Sequence, residues 1–529
     1  MEPSPSRSAF VERFGSLGAG LVVAPFLCDG LTPVAALLRL GPNPLGRFLL
    51  ESAEQGGHAG RFSFVGTASA GLAAFEPGVG HLYRAHARDG WVYEADRWES
   101  RDPVGELRRL VGPWRLPEAA LGAVLAEAGV SPADRPPFLG GAVGFLGYDV
   151  VRTLERLGQG PPPAVKTWMA AYLLADTVVA FDHFTRVGYA VAVAHWPPGA
   201  DPGAAYDEAV ERLDIVWQQL HGAAHGESLR ALADALEVPT RRAALAEPRD
   251  ERFQEGVRIA RRYIRAGDIF QVVLSREMVV PCPDPPLHVY RRLRAINPSP
   301  YMFFLEVADP RPRGRPLHLV GASPEVMVRL QGERAVVRPI AGTRRRGREP
   351  GEDESLAREL RDDPKELAEH MMLVDLARND LGRVCRYGTV QVSRLLEIER
   401  YSHVMHLVSE VEGRLAPGLD AFDLVKATFP AGTVTGAPKV RAMEIIDELE
   451  ASGRGPYAGA VGYFSVTGDA DACITIRTLA IRASRAHARA GAGIVADSDP
   501  ERELWETHNK ASAILAAVTH DGAGGGAGS

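Results

Sequence analysis

Apolar positions along the chain change their rhythm near its middle. Between residues 31 and 220 they come in short runs broken by polar turns, and Arg61–Gly66, Trp168–Phe181 and Gly188–His195 read as strands. Residues 221–250 are rich in Ala, Arg and Glu and predict a helical bridge. Beyond it, helical and strand-like patterns alternate. Helices are expected over Glu251–Ala266, Glu366–Asp380, Ala421–Ala427, Lys439–Ala451 and Glu501–Ala517. Strands are expected over Ile269–Leu274, Leu317–Val320, Glu325–Leu330, Val390–Leu395, Ala458–Val466 and Ala472–Ile481. No internal repeat is visible. The fold class is α+β, with large antiparallel β-sheets and flanking helices. The expected division is a disordered N-terminus over 1–20, a sheet-rich region over 21–245, a mixed region over 246–518 and a disordered Gly-rich tail over 519–529.

The bulk properties narrow the class. With 529 residues, 46% hydrophobic and 24% charged, the chain can bury a sizeable core. Its net charge of -7 disfavours nucleic-acid and anionic-membrane partners. No apolar run is long enough to span a bilayer, and the N-terminus lacks the apolar core of a signal peptide, so a cytoplasmic location is expected. Four cysteines, Cys28, Cys282, Cys385 and Cys473, form no CxxC pair, and none sits in a G-x-C-x-G elbow. Only five of the 60 basic Lys and Arg residues are lysines: Lys166, Lys365, Lys426, Lys439 and Lys510. Lysines that persist against such an arginine bias are candidates for sites that arginine's wide fork would not suit.

Four features carry possible chemistry. Glu366 and Glu369 lie three apart, as do Glu503 and Glu506, so each pair shares one helix face. Facing one another across a cleft they could hold a hard cation, although the same spacing is common on solvated helices. Glycine-rich segments occur at Pro339–Thr343 (PIAGT), Ala431–Lys439 (AGTVTGAPK) and Gly491–Gly493 (GAG). They let backbone N–H groups approach an anion, or they are ordinary turns. Lys439 at the start of a helix adds a possible anion site. Arg477 falls within the strand-like run ITIRTLAI, where a buried guanidinium needs an anionic partner, from the protein or from a substrate. The histidines His370, His403, His406 and His508 are, taken singly, more often packed than catalytic.

These segments, in order, resemble the chorismate-utilising enzymes: GDIFQVVLSR (267–276), NPSPYMFFL (297–305), VGASPEVMVR (320–329), RPIAGTRRRG (338–347), KELAEHMMLVDLARNDLGRV (365–384), SHVMHLVSEVEG (402–413), FPAGTVTGAPKVRAMEIIDELE (429–450), RGPYAGAVGYF (454–464) and AGIVADSDPERELWETHNKA (492–511). DGLTPV (29–34), LLES (49–52), GRFSFVG (60–66) and GGAVGFLGYD (140–149) are similar to anthranilate synthase large subunits. The resemblance implies that family's fold, with chorismate bound by 246–518 and a tryptophan-site motif within 21–245. Two positions bear on what adds to C2 of chorismate. Isochorismate and salicylate synthases carry a lysine where this chain has Gln271, and Gln271 cannot act as a base toward water. Folate-branch synthases typically carry a nucleophilic lysine where this chain has Ala341. Together they point to external ammonia.

The remaining roles come from the resemblance. It implies Mg2+ held by Glu369 and Glu506, with Glu366 and Glu503 near or through water, against the ring carboxylate. Glu325 would be the general acid for the departing C4 hydroxyl and would need a raised pKa. Gly342 and Thr343 would line the ring site. Tyr457, Arg477 and the backbone of Gly491, Ala492 and Gly493 would cradle the enolpyruvyl carboxylate, and Lys510 would neutralise a carboxylate. His406 would serve the second step, pyruvate elimination. Ammonia would come from a separate glutamine amidotransferase subunit, in a heterodimer or heterotetramer. Ser52, Pro300, Tyr301 and Met302 would bind tryptophan as feedback inhibitor. The rival readings are a 2-amino-2-deoxyisochorismate synthase, a 4-amino-4-deoxychorismate synthase, and a non-catalytic paralogue that binds chorismate or tryptophan.

Overall fold

The structure, a computed structural model, describes residues 2–52, 60–86, 91–222, 247–400 and 404–518. The expected helical bridge falls mostly outside them, as do His403 and the tail from residue 519.

Two large antiparallel sheets organise the chain. The 11-stranded sheet runs Ala19–Leu27, Val187–His195, Thr177–Asp182, Phe62–Thr67, Gly46–Glu51, Tyr301–Val307, Leu317–Ser323, Thr478–Arg482, Arg485–Ile494, Gln271–Pro281, Gly436–Ala437. The 12-stranded sheet runs Ile340–Arg345, Val404–Arg414, Arg334–Val337, Val326–Gln331, Ala470–Ile474, Ala460–Ser465, Gly141–Leu146, Ala170–Ala175, Gly71–Glu76, Gly78–Ala85, Val92–Ser100, with Gln391–Arg400 also pairing Val404–Arg414. Each sheet takes strands from both sides of residue 245, so that boundary separates neither sheet. The main core joins apolar faces of both sheets. Strands such as Gly141–Leu146 and Ala170–Ala175 are buried along their whole length, and their sequences are accordingly apolar without alternation.

The chain passes from one sheet to the other at, among other places, three short crossings, and the lack of alternation hides two of them. The single expected strand Trp168–Phe181 is two, Ala170–Ala175 and Thr177–Asp182, which belong to different sheets. Asp176 marks the break, where the Ser69 hydroxyl accepts from the backbone N–H groups of Asp176 and Thr177. Likewise Ala472–Ile481 is Ala470–Ile474 and Thr478–Arg482. Leu317–Ser323 passes to Val326–Gln331 across Pro324 and Glu325. The last two crossings lie side by side. Ile474 N–H donates to Glu325 O at 3.0 Å, Ala322 N–H to Arg477 O at 3.1 Å, and the Ser323 hydroxyl to Ile474 O at 2.7 Å.

The disordered N-terminus needs correction. Arg7–Phe14 is a helix whose N-cap, Ser6, accepts from Ala9 N–H. Phe10 and Phe14, four apart, are fully buried over Gly20, where an added Cβ would collide with Phe10. The Ser- and Pro-rich composition masks this two-residue anchor. The helices of the second half stand close to expectation: Glu251–Ala266, Pro364–Gly382, Ala421–Thr428, Lys439–Leu449 and Pro500–Leu515. Asp363 and Asp499 cap the two glutamate-bearing helices.

Candidate active site

A cavity of 1450 Å³ opens where the two adjacent crossings, the strand ends and the glutamate-bearing helices meet. Its wall contains Gln271, Glu325, Ala341, Gly342, Thr343, Glu366, Glu369, Tyr457, Arg477, Gly491, Gly493, Glu503, Glu506 and Lys510. Residues spread over 240 positions are thus brought together by four separate structural causes.

The first cause is the pair of crossings. Glu325 sits in one, buried, with its carboxyl pushed up to about 8 by loss of solvent, against the opposing Lys510 charge and the nearby Thr433 hydroxyl. A carboxyl that keeps its proton at neutral pH can act as an acid. Arg477 sits in the other crossing. It is not in a strand, as its apolar neighbours suggest, but in a turn with φ +50°. A non-glycine residue in that region carries backbone strain, held here by the Ala322–Arg477 hydrogen bond.

The second cause is close approach at glycines. Gly342 has φ +67° and forms the bulge between Ala341 and Thr343; a Cβ there would stand 2.9 Å from Leu360 and 3.0 Å from Glu366 Oε2. A Cβ on Gly491 would be 2.7 Å from the Tyr457 hydroxyl, and one on Gly493 would be 2.7 Å from Gln271 Nε2. These glycines leave room for the side chains that line the wall. Between them, strand alternation turns Ala492 away: it is fully buried in a second core with Val257 and Ile445, so only its backbone is available to a ligand.

The third cause is register. His406 lies opposite Thr343 across the strand pair. It is half-buried at the edge of the wall, against Gly342 and Thr343. Its Nδ1 donates to Gly342 O at 3.0 Å, with Thr343 Oγ1 also 3.0 Å away. Burial lowers its pKa, favouring the neutral ring. The carbonyl partner places the proton on Nδ1 and leaves Nε2 as the basic nitrogen.

The fourth cause is the two capped helices. All four glutamates face the cavity, and burial raises the carboxyls of Glu369 and Glu503, helped in each case by the charge of Glu506. Oxygen-only donors of this kind suit a hard divalent cation. In this arrangement basic groups stand beside three of them. Arg344 donates to Glu366 at 2.9 Å, Lys510 to Glu506 at 2.6 Å, and Lys365 lies 3.9 Å from Glu369. Among the described residues no three His, Cys, Asp or Glu side chains converge on one metal-sized point. The donor chemistry fits a cation, while the ligand sphere is not drawn together.

Several participants were not singled out from sequence. Thr433 lines the cavity beside Glu325, and the quoted AGTVTGAPK segment was its only signal. Arg344 was legible only as part of RPIAGTRRRG. The scarcity of lysine did carry information, since Lys365 and Lys510 both reach the cavity. Lys439 does not present an anion site; its amine pairs with Asp380 at 2.9 Å. His370 is packed, bonded to the Ser409 hydroxyl at 2.6 Å.

Ser52, Pro300, Tyr301 and Met302 line a second, separate cavity of 310 Å³. The Ser52 hydroxyl is buried there without a hydrogen-bond partner among the described residues. Tyr301 donates to Asp471 at 2.8 Å and accepts from Arg329 at 2.8 Å.

A fold of two large antiparallel sheets holding a carboxylate-rich cavity defines a class, and the chain belongs to the family of chorismate-binding enzymes, whose model matches residues 91–516. Within that class it is similar to proteins named anthranilate synthase component 1. The protein of that name from Thermus thermophilus is 44% identical, covering 93% of this chain and 96% of the relative. The one from Streptomyces coelicolor is 42% identical, covering 93% and 88%. The crystal structure of anthranilate synthase component I from Streptococcus pneumoniae superposes with a TM-score of 0.68 at 34% identity, covering 92% of this chain and 98% of that one. The menaquinone-specific isochorismate synthase of Escherichia coli, at 18% identity and a TM-score of 0.65, shares the fold.

Proposed function

We propose that this chain is the chorismate-converting component of an anthranilate synthase, turning chorismate and ammonia into anthranilate, pyruvate and water. The observation that carries the reading is a buried carboxyl with a raised pKa, Glu325, on the wall of a cavity that offers Gln271 and Ala341 where a nucleophilic or basic lysine would stand. Glu325 gives its proton to the C4 hydroxyl, which leaves as water. Ammonia from outside forms the C2–N bond, in the space Ala341 leaves open. Tyr457, Arg477, Lys510 and the Gly491–Gly493 backbone hold the carboxylate of the enolpyruvyl group. His406, through Nε2, serves the second step, in which the C2 proton is lost, the C–O bond to the side chain breaks and pyruvate leaves. Glu369 and Glu506, with Glu366 and Glu503 behind them, would hold Mg2+, which when bound supplies a positive charge for the ring carboxylate.

The cysteines provide no amidotransferase nucleophile: Cys282, Cys385 and Cys473 are buried and Cys28 is half-buried. A separate glutamine amidotransferase subunit, in a heterodimer or heterotetramer, therefore supplies the ammonia. We assign tryptophan, as inhibitor, to the 310 Å³ cavity, a reading supported by its lining of acidic Glu51 and Asp471, basic Arg61 and Arg135, and apolar Phe62 and Met302. Among the described residues no helix is long and apolar enough to cross a membrane, and the proposed place of work is the cytoplasm.

The test is incubation of the purified chain with chorismate, magnesium and ammonium chloride at alkaline pH, with products identified by mass. Anthranilate and pyruvate that disappear on chelation support the reading. An amino-chorismate that keeps its enolpyruvyl group shifts it to a 2-amino-2-deoxyisochorismate or 4-amino-4-deoxychorismate synthase. No turnover, even with an amidotransferase added, leaves a binding-only paralogue.

A further inference from the structure

Beneath the substrate cavity lies a buried ion network that the mechanism above does not use. Glu450 is buried at the end of helix Lys439–Leu449. Its carboxylate accepts from the backbone and hydroxyl of Ser275, both at 2.8 Å, from Arg454 at 2.6 Å and from Arg489 at 2.8 Å. Arg454 donates further to Val434 O at 2.6 Å and Val273 O at 2.7 Å. Arg489 donates to the carbonyl and hydroxyl of Ser452, at 3.0 and 2.6 Å. The Arg454 guanidinium lies 4.7 Å from the Tyr148 ring centroid and 5.7 Å from that of Tyr457.

The partners belong to four different parts of the cavity wall. Val434 follows Thr433, which lines the wall beside Glu325. Val273 lies two positions from Gln271, on the same face of its strand. Ser452 and Arg454 lead into Tyr457. Arg489 is two positions from Gly491 on its strand, and Arg489 itself lines the cavity. One guanidinium thus ties the loop behind the acid, the strand with Gln271 and the approach to Tyr457. Two guanidinium groups stand against one carboxylate, so the network leaves one net positive charge out of water. Burying three ions is costly, and replacing such a network by apolar side chains is often neutral or stabilising. Stability alone therefore does not account for it.

We infer that Arg454, Glu450 and Arg489 form the positioning unit of the substrate site. Arg454 sets Thr433, Gln271 and Tyr457 in one mutual geometry, and Arg489 supplies the uncompensated positive charge that favours an anionic ligand above it. The inference rests on the reading of the cavity as a chorismate site. Neither arginine is required to touch the reacting atoms.

Two substitutions separate the two parts. Arg489→Met leaves a neutral Arg454–Glu450 pair and removes the excess charge. Arg454→Lys keeps the charge but cannot span two carbonyls and a carboxylate. Chorismate affinity would be measured by equilibrium titration, together with KM and kcat, and tryptophan affinity at the separate cavity would report on folding. For Arg489→Met the expected result is chorismate binding weakened about tenfold, with a flatter dependence on salt and kcat nearly unchanged. For Arg454→Lys it is a kcat lowered about tenfold or more, with tryptophan affinity retained. If both variants bind tryptophan normally and keep native KM and kcat, the network is structural only and the inference falls. If Arg454→Lys fails to fold, Arg489→Met decides alone: unchanged chorismate affinity overturns the inference. If the native chain binds chorismate but forms no anthranilate, the functional reading fails while the affinity comparison still decides this one.

Discussion

At the scale of single residues, Glu325 shows how environment selects function. Its carboxyl is chemically like the dozens of other carboxyls in the chain. Burial at a sheet crossing pushes it up to about 8, which favours the protonated form at neutral pH. Glu325→Gln is expected to lower kcat by about 10²–10⁴-fold, measured with chorismate and ammonium, while tryptophan binding persists. The same shift has a stability sign. Between the ordinary value of 4.5 and about 8 the folded chain holds a proton that the unfolded chain has lost, so native stability falls as pH rises through that window. Glutamine titrates nowhere in the window. Denaturant unfolding should therefore find Glu325→Gln more stable than the native chain, by a margin that grows from pH 4.5 to about 8. A constant margin would mean that the carboxyl is not held protonated. Glu325, Gln271 and Ala341 were legible as candidates only through the motif resemblance. Nothing in the local sequence marks Glu325 as desolvated, because its burial comes from segments more than a hundred positions away.

At the scale of elements, the cavity depends on bulges and capped helices. Gly342 adopts φ +67° against Leu360 and Glu366. Gly342→Ala should cost about 1–3 kcal/mol of stability and raise the KM for chorismate, since both the backbone and the glutamate must shift. Thermal unfolding with parallel kinetics would check this, and unchanged stability would contradict the left-handed bulge. The glutamate helices make a two-sided prediction. Burial raises the Glu369 carboxyl, with Glu366 and Glu506 adding to it, so the charge is unfavourable without a cation. Glu369→Gln should weaken magnesium binding by about tenfold or more, as read by calorimetry, yet not destabilise the cation-free chain. The helices themselves were readable from caps and period, because helix Pro364–Gly382 begins at a capping aspartate followed by proline. The doubly buried strands were less readable: Trp168–Phe181 and Ala472–Ile481 are apolar on both sides of their crossings, and a few polar residues there, Asp176 in one and Thr475 and Arg477 in the other, do not by themselves signal a change of sheet.

At the scale of the whole molecule, the two cavities share elements. Strand Ala470–Ile474 contributes Asp471 and Cys473 to the smaller cavity and leads directly into Ile476 and Arg477 of the larger one. Strand Tyr301–Val307 pairs with Leu317–Ser323, the strand that ends next to Glu325. A ligand that repacks the smaller cavity therefore presses on the two crossings that carry Glu325 and Arg477. Ser52→Leu, which fills part of the smaller cavity, should abolish tryptophan inhibition while turnover without tryptophan stays within about twofold of native. Inhibition that survives this substitution would place the regulatory site elsewhere.

Local physics is enough to set the α+β class, the helices of the second half and the four glutamates on two helix faces, because period and caps are properties of short segments; the family was legible through the resemblance of its motif segments. Tertiary structure alone decided which of these residues meet. It put Glu325 and Arg477 at adjacent sheet crossings and turned the Ala492 side chain away from the cavity into the second core. It set His406 against Gly342, gave Lys439 to Asp380 and buried an ion network beneath the cavity. The reason is that desolvation, strand registry and the crossing from one sheet to another depend on what packs from distant parts of the chain, and no local pattern encodes them.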